Sequence, residues 1–395
     1  MSKNYNFSRE IDRCNTNSVK WDLREKFFPN SKVTPLWVAD ADWPAAPEII
    51  EAMQKRIEHG IFGYSYPGQE VKNAICAWYK NQYNWEINSE WITIINGVVP
   101  GLNVVIDKLI SDGEGVIIQP PVYYPFFKVI KKNNNKILAN TLKLNNNEQY
   151  IMDFASLHNI IKKDNTNPEA LILCSPHNPV GRVWNQDELQ KLASICVNND
   201  ILLISDEIHG DFIYDDNAHT PLAAIDEELA ENIITFNAPT KTFNLAGLKI
   251  AYSIIPNSDL REKFKEVGEK KILGSNIIAY EALKSAYYEG ANWLNQQLDY
   301  LTDNLQMVKE IISELPDIKV IEPEGTYLVW LDFRKVNMSR QKLKDILFEK
   351  AEIGLEPGEW FGEAGKGFYR LNIATPRSRL RKALIKFKDV WLEEI

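Results

Sequence analysis

Three short apolar runs each end on a polar residue able to do chemistry. Ala170–Cys174 leads into Ser175-Pro176-His177-Asn178-Pro179-Val180-Gly181. Ile201–Ile204 leads into Ser205-Asp206-Glu207-Ile208-His209, and Ile233–Phe236 leads into Asn237-Ala238-Pro239-Thr240-Lys241-Thr242. Runs of this length and apolarity read as strands covered on both faces. Ligands of open α/β sheets bind beyond the carboxyl ends of such strands. An amide, a carboxylate and a lysine are therefore expected to converge on one ligand. A lysine among apolar neighbours loses its proton more readily and can form a Schiff base with an aldehyde. A carboxylate facing a pyridine nitrogen keeps that nitrogen protonated, and an amide can donate to a phenolate oxygen on the same ring. These are the requirements of pyridoxal phosphate. Singly, Asn-Pro is a turn, Asp-Glu a strand cap and Lys a surface charge. The inference rests on all three closing strands in succession.

The intervening segments supply the helices that such a sheet needs. Pro47 to His59 places Ile49, Met53 and Ile57 on one face, with proline at an allowed first-turn position. Pro100 to Ile110 repeats apolar residues at Leu102, Val105, Ile106 and Leu109, and Asp187 to Asn199 follows a capping-box spacing of Asn185 and Glu188. Val116–Ile118 adds another buried strand. Past Ile278 the pattern changes. Leu294, Leu298, Leu301, Leu305, Val308, Ile312 and Leu315 describe one long amphipathic helix. Tyr327–Phe333 and Tyr369–Ile373 then read as strands, with a helix from about Arg340 to Glu352. The expected division is a large ligand-binding domain over 46–284 and a smaller α+β domain assembled from 1–45 and 285–395. The Asn- and Lys-rich stretch Lys131 to Gln149 reads as a solvated surface excursion.

Composition limits the partners. The chain has 395 residues and a formal charge of 45 − 54 = −9, spread along its length. That balance argues against a nucleic-acid surface or an anionic membrane. No apolar run approaches the roughly 18 residues of a membrane span, and Met1 to Arg13 lacks the apolar core of a signal peptide. Cys14, Cys76, Cys174 and Cys196 lie too far apart for a zinc or disulfide framework, so no metal is expected and reduced thiols in the cytoplasm fit best. His177 reads as a turn residue, and His59, His158 and His219 as surface positions. Trp37, Trp43 and Trp330 read as packing.

The sequence resembles the fold-type I pyridoxal-phosphate enzymes and, within them, the cystathionine β-lyase (MalY/PatB-type C–S lyase) family. The resemblance runs from Pro35-Leu36-Trp37-Val38-Ala39-Asp40 through Phe62-Gly63-Tyr64, Gly97-Val98-Val99-Pro100 and Pro121-Val122-Tyr123-Tyr124-Pro125-Phe126. It then passes through the three strand-end motifs to Glu324-Gly325-Thr326-Tyr327-Leu328 and Arg370-Leu371-Asn372. It implies an aspartate-aminotransferase-like α/β fold, with a mainly parallel sheet between helices beside the smaller domain. Lys241 would bear pyridoxal phosphate and shuttle the proton, Asp206 would pair with the ring nitrogen and Asn178 with the ring oxygen. Tyr123 would stack on the ring, with Tyr124 near the leaving group. Gly97, Val98 and Val99 would hold the phosphate, an arrangement that helix-terminus physics also favours. Arg370 would grip the substrate α-carboxylate. Tyr64 would reach the phosphate of a neighbouring subunit and border its substrate, implying a homodimer with shared sites.

Three positions depart from the transaminase pattern: His209 replaces a tyrosine, Ala238 replaces a serine and leaves Thr240 as the nearer hydroxyl, and Lys249 stands where an arginine holds phosphate. The implied reaction is α,β-elimination from a cysteine S-conjugate such as cystathionine. Amino-group transfer by a class I/II aminotransferase is the alternative.

Overall fold

The computed structural model describes residues 3–163, 167–268 and 272–395. Its largest sheet has seven strands. In chain order these are β1 (Ile92–Ile95), β2 (Gly115–Ile118), β3 (Lys136–Ala139), β4 (Pro168–Cys174), β5 (Leu202–Asp206), β6 (Ile233–Asn237) and β7 (Ala251–Ile254). They lie in the order β1-β7-β6-β5-β4-β2-β3. Strand β7 runs antiparallel to both its neighbours, and the other pairings are parallel. Strands β5 and β6 each extend past the apolar run that marks them, taking in Asp206 and Asn237. The registers Cys174↔Asp206 and Asp206↔Phe236 hold these strand ends at one edge.

The stretch Lys131 to Gln149 is not a plain surface excursion. It supplies β3, the outermost strand, and buries Asn135, Asn140 and Leu142. As an edge strand it pairs on one side only: Ile137 and Leu138 are half-buried on opposite faces, while Lys136 and Ala139 are exposed, and the lysine discourages further pairing. That explains why it reads as solvated.

The helices include α1 (Pro47–Glu58), α2 (Val98–Leu109), α3 (Pro125–Lys132) and α4 (Ala291–Ser313), of which α2 and α3 begin at the site. Helix α4 buries Leu294, Leu301, Leu305, Val308 and Ile312, while Leu315 is buried just beyond its end. The expected capping box forms between Asn185 and Glu188. A second, four-stranded antiparallel sheet contains β8 (Lys319–Ile321), β9 (Leu328–Asp332), β10 (Glu356–Pro357) and β11 (Phe368–Asn372) in the order β8-β9-β11-β10. Thr34–Pro35 from near the N-terminus pairs with Ile353–Gly354. The helix expected from Arg340 forms as Arg340–Lys344 and continues as a π-helix over Asp345–Lys350.

On α1 the face expected to be covered is only partly so. Ile49 is buried, but Ile57 is 53% exposed, and the following Ile61, Phe62, Tyr64 and Tyr66 are exposed as well. Within one chain this apolar stripe has no cover.

Candidate active site

Two cavities meet at Lys241. The inner one, of about 200 Å³, is walled by the ends of the large sheet: Cys174, Asn178, Asp206, Ile208 and His209, with Gly97, Val98 and Val99 at the start of α2. The outer one, of about 510 Å³, is walled by Trp37, Tyr124, Lys128, Glu356, Trp360 and Arg370 among others. Lys241, Tyr123 and Ala39 border both.

Asp206 is buried and faces the inner cavity. Among the described residues the only donor to its carboxylate is the Ile208 N–H, at 3.3 Å. Burial raises its pKa to about 7, against the pull of that N–H and of Lys241. Beside it, His209 is buried, and its Nδ1 has no partner among the described residues. Burial, reinforced by the charges of Lys241 and Arg370, drives its pKa well down, so its imidazole is neutral. Asn178 accepts a 2.8 Å hydrogen bond from Arg370 at Oδ1. That contact fixes the amide and turns its NH₂ into the available donor. At the start of α2, Gly97 is the N-cap and no side chain caps the helix. Its first N–H groups are therefore open to an anion. A Cβ at Gly97 would come within 3.2 Å of Pro100 Cδ, and its φ of 156° also favours glycine.

Lys241 sits on the single helical turn Pro239–Thr242 that follows β6. Its Nζ donates to the Ala39 carbonyl at 2.6 Å. Burial lowers its pKa to about 8, although Asp40 opposes the shift. Next to it, Thr242 Oγ1 donates to buried Asp211 at 2.5 Å, and Asp211 also accepts from Trp78 Nε1 and Tyr83 Oη. The turn bearing Lys241 is thus tied to the core beneath it.

The segment from Trp37 to Ala41 crosses between the cavities and is held by its carbonyls. Arg370 takes that of Trp37, Asn372 those of Val38 and Asp40, Lys241 and Tyr327 that of Ala39, and Asn244 that of Ala41. Below this strap lies buried Asp42, with Lys20 at 3.0 Å and Arg13 at 2.8 Å. Burial opposes its ionisation, but Lys20, Trp21 and Arg13 outweigh that and bring its pKa to about 2.

In the outer cavity Arg370, on β11, is buried and forms an ion pair with Glu356, its register partner on β10. Burial pushes the Glu356 pKa up against the attraction of Arg370 and Lys241. Among the described residues Arg370 Nε has no partner. Tyr123 and Tyr124 are both half-buried, 5.5 Å apart between ring centroids. Burial raises the pKa of each.

The structure therefore brings Lys241, Asp206, Asn178, His209, Tyr123, Tyr124, Arg370 and Gly97–Val99 together. Thr240 is buried, Lys249 is exposed, and neither is among the residues walling the cavities; nor is Tyr64. His219 is not a surface residue. It is buried with Nε2 3.3 Å from Glu207, which also accepts from Ser205 and Leu222. A polar pocket under the sheet edge, invisible to local pattern, draws it inward. His177 lies in the expected turn but is fully buried, 2.9 Å from the Pro121 carbonyl. Trp43 and Trp330 pack in the core, whereas Trp37 also lines the outer cavity. Sequence reasoning missed Glu356, Trp360 and the Ala39 carbonyl. The signal for Glu356 was present: a lone carboxylate inside Ile353-Gly354-Leu355-Glu356-Pro357-Gly358.

The sheet order and the lysine-bearing turn after β6 define a class. The chain belongs to the aminotransferase class I and II family, whose model matches residues 33–387. Its fold is aspartate-aminotransferase-like. Among its relatives is cystathionine β-lyase PatB of Bacillus subtilis (strain 168), 38% identical over 97% of this chain and 99% of that protein. Cystalysin from Treponema denticola, whose crystal structure contains pyridoxal 5'-phosphate, superposes with a TM-score of 0.95 and 38% identity over 100% of both chains. The PLP-bound C–S lyase of Staphylococcus hominis gives a TM-score of 0.90 and 30% identity over 99% of each chain.

Proposed function

We propose that this chain is a pyridoxal-phosphate-dependent carbon–sulfur lyase, releasing a thiol and aminoacrylate from an S-substituted L-cysteine such as cystathionine, the aminoacrylate then taking up water to give pyruvate and ammonia. The observation that carries this reading is the position of Lys241, with its depressed pKa, at the junction of two cavities. The inner residues fit pyridoxal phosphate. Asp206 is a buried carboxylate with one weak donor, suited to a pyridinium N–H. The free NH₂ of Asn178 and neutral His209 suit the ring oxygen, and Tyr123 suits the ring face. The uncapped start of α2 suits the phosphate, and because Thr240 and Lys249 stand outside the cavity walls we assign the phosphate to Gly97, Val98 and Val99. When bound, the pyridinium ring stabilises negative charge at the substrate α-carbon.

The chain's own residues do the rest. Lys241 Nζ, neutral in a fair fraction near its pKa, removes the α-proton and holds it within reach of the leaving sulfur. Arg370, already fixed by Asn178 and the Trp37 carbonyl, receives the α-carboxylate as a bidentate partner. Tyr124 borders the space where the thiol departs. The uncovered stripe of Ile57, Ile61, Phe62, Tyr64 and Tyr66 supports a homodimer in which Tyr64 serves the neighbouring subunit's phosphate and substrate. The pairing of Thr34–Pro35 with Ile353–Gly354 supports the division into 46–284 and 1–45 plus 285–395. Among the described residues no helix is long and apolar enough to cross a membrane. That and the unpaired cysteines support a cytoplasmic setting.

The test is pyruvate release from cystathionine and a panel of S-substituted cysteines, with Lys241→Ala as control. Pyruvate that depends on Lys241 is expected. Because the matching family model is one of aminotransferases, a 2-oxo acid is supplied in parallel. Amino transfer to it without pyruvate would replace the lyase reading with transamination.

A further inference from the structure

The outer cavity is larger than a cysteinyl moiety needs. Its charged side chains are unevenly used. Arg370, paired with Glu356, is committed to the substrate α-carboxylate, and Lys241 bonds to the strap. Lys128 is left over: among the described residues it has no carboxylate within ion-pair distance. It lies on α3, four residues after Tyr124, so both point to one face of the helix. Its ammonium stands 4.8 Å from the centroid of the Tyr124 ring. That ring in turn packs edge-on against Trp360, 6.2 Å away. The wall beyond Lys241 is thus an apolar and aromatic surface, formed by Phe27, Trp37, Tyr124 and Trp360, ending in one unpaired cation at the mouth.

A leaving group that fills this space would run along the aromatic wall and end beside that cation. We propose that Lys128 selects substrates whose departing thiol carries a carboxylate. The inference rests on the lyase reading and deepens it, naming the class of S-substituent. Stacking on Tyr124 pre-positions the ammonium, so less side-chain freedom is lost when the carboxylate arrives. Being exposed, the pair is worth a modest factor, about fivefold, and is weakened by salt. Lys128 acts on binding and on the orientation of the leaving group, and takes no part in proton transfer.

The test compares S-(2-carboxyethyl)-L-cysteine with its uncharged amide, S-(2-carbamoylethyl)-L-cysteine, using the holoenzyme. Wild type is expected to favour the carboxylate by about fivefold in kcat/KM. Lys128→Gln is expected to abolish that preference through KM while sparing kcat for the amide, and Lys128→Arg to keep it. A second readout needs no turnover: calorimetric binding of 3,3'-thiodipropionate, the first substrate without its amine. Lys128→Gln should weaken it by a similar factor, yet leave 3-(propylthio)propionate, with one carboxylate, unchanged. Equal kcat/KM for acid and amide in wild type, or a preference that survives Lys128→Gln, overturns the proposal. If neither these conjugates nor cystathionine and the rest of the panel yield pyruvate, the lyase reading fails, and thiodipropionate binding still decides the role of Lys128.

Discussion

The inner and outer cavities share Lys241 but are built in opposite ways. The inner wall comes mostly from one sheet: β4, β5 and β6 end side by side, and each contributes the chemistry just past its last apolar residue. The outer wall gathers the N-terminal segment, the start of α3 and the second sheet. Its central contact joins Arg370 to a carbonyl 333 residues away in sequence. A rigid sheet edge fixes geometry to within the tolerance that bond-making demands. Separately contributed segments can change one at a time, which suits the recognition of varied substituents. The inner cavity therefore reads as the chemistry and the outer one as the choice of substrate.

Removing Lys241 should have the largest effect. Lys241→Ala is expected to cut pyruvate formation by at least about a thousandfold, measured in single turnover. A variant retaining a tenth of the activity would dissolve the distinction between the cavities, since the group joining them would be dispensable.

The next effect belongs to the outer cavity. Arg370→Met leaves Glu356 buried without its cation and should cost about 3–5 kcal/mol of stability in urea unfolding. The double variant with Glu356→Met should recover most of that loss. Failure to recover would mean that Arg370 holds the Trp37 carbonyl and Asn178 more than it balances Glu356.

Two buried aspartates, one in the inner cavity and one under the strap, should shift stability with opposite sign. The folded pKa of Asp206, about 7, stands above the ~3.9 of an unfolded aspartate. The folded state therefore holds its proton more tightly than the unfolded chain does. The Asp206 contribution is most favourable below pH 4 and is lost as pH rises towards 7. Without cofactor, Asp206→Asn should stabilise the protein by about 2–4 kcal/mol at pH 8 and scarcely at pH 4. Asp42, under the strap, is held at about 2. Its contribution is present above pH 4 and lost as pH falls through 2, so Asp42→Asn should destabilise at pH 7. Melting curves across pH 4–8 check both, and the same sign for the two variants would refute the contrast.

The smallest effect is expected outside both cavities. Lys249→Met should change cofactor affinity by less than about threefold, followed by equilibrium dialysis. A larger loss would extend the inner wall to include that exposed lysine.

This contrast also explains what the sequence revealed. Asn178, Asp206 and Lys241 each end a local apolar run, so their convergence follows from strand geometry alone. For α2 the apolar spacing set the start at Pro100, whereas the helix begins at Val98; its role as a phosphate site came from the resemblance and from helix-terminus physics. Glu356 meets Arg370 only because β10 and β11 pair, and the Ala39 carbonyl has no side-chain signature at all. His219 misled because its polar ring is satisfied by burial against distant Glu207, and β3 because its short half-buried run lies among Asn and Lys and pairs with a single sheet neighbour.

The strap between the cavities has a consequence for how this chain can vary. From Trp37 to Ala41 each carbonyl is claimed by a side chain from elsewhere, including Arg370 and Lys241 at the site itself. Carbonyls are the same in every amino acid, so replacing a residue there alters little of this set. Inserting or deleting one residue would shift every acceptor by a position and detach both Lys241 and Arg370 together. The strap is a ruler: tolerant of spelling, intolerant of length.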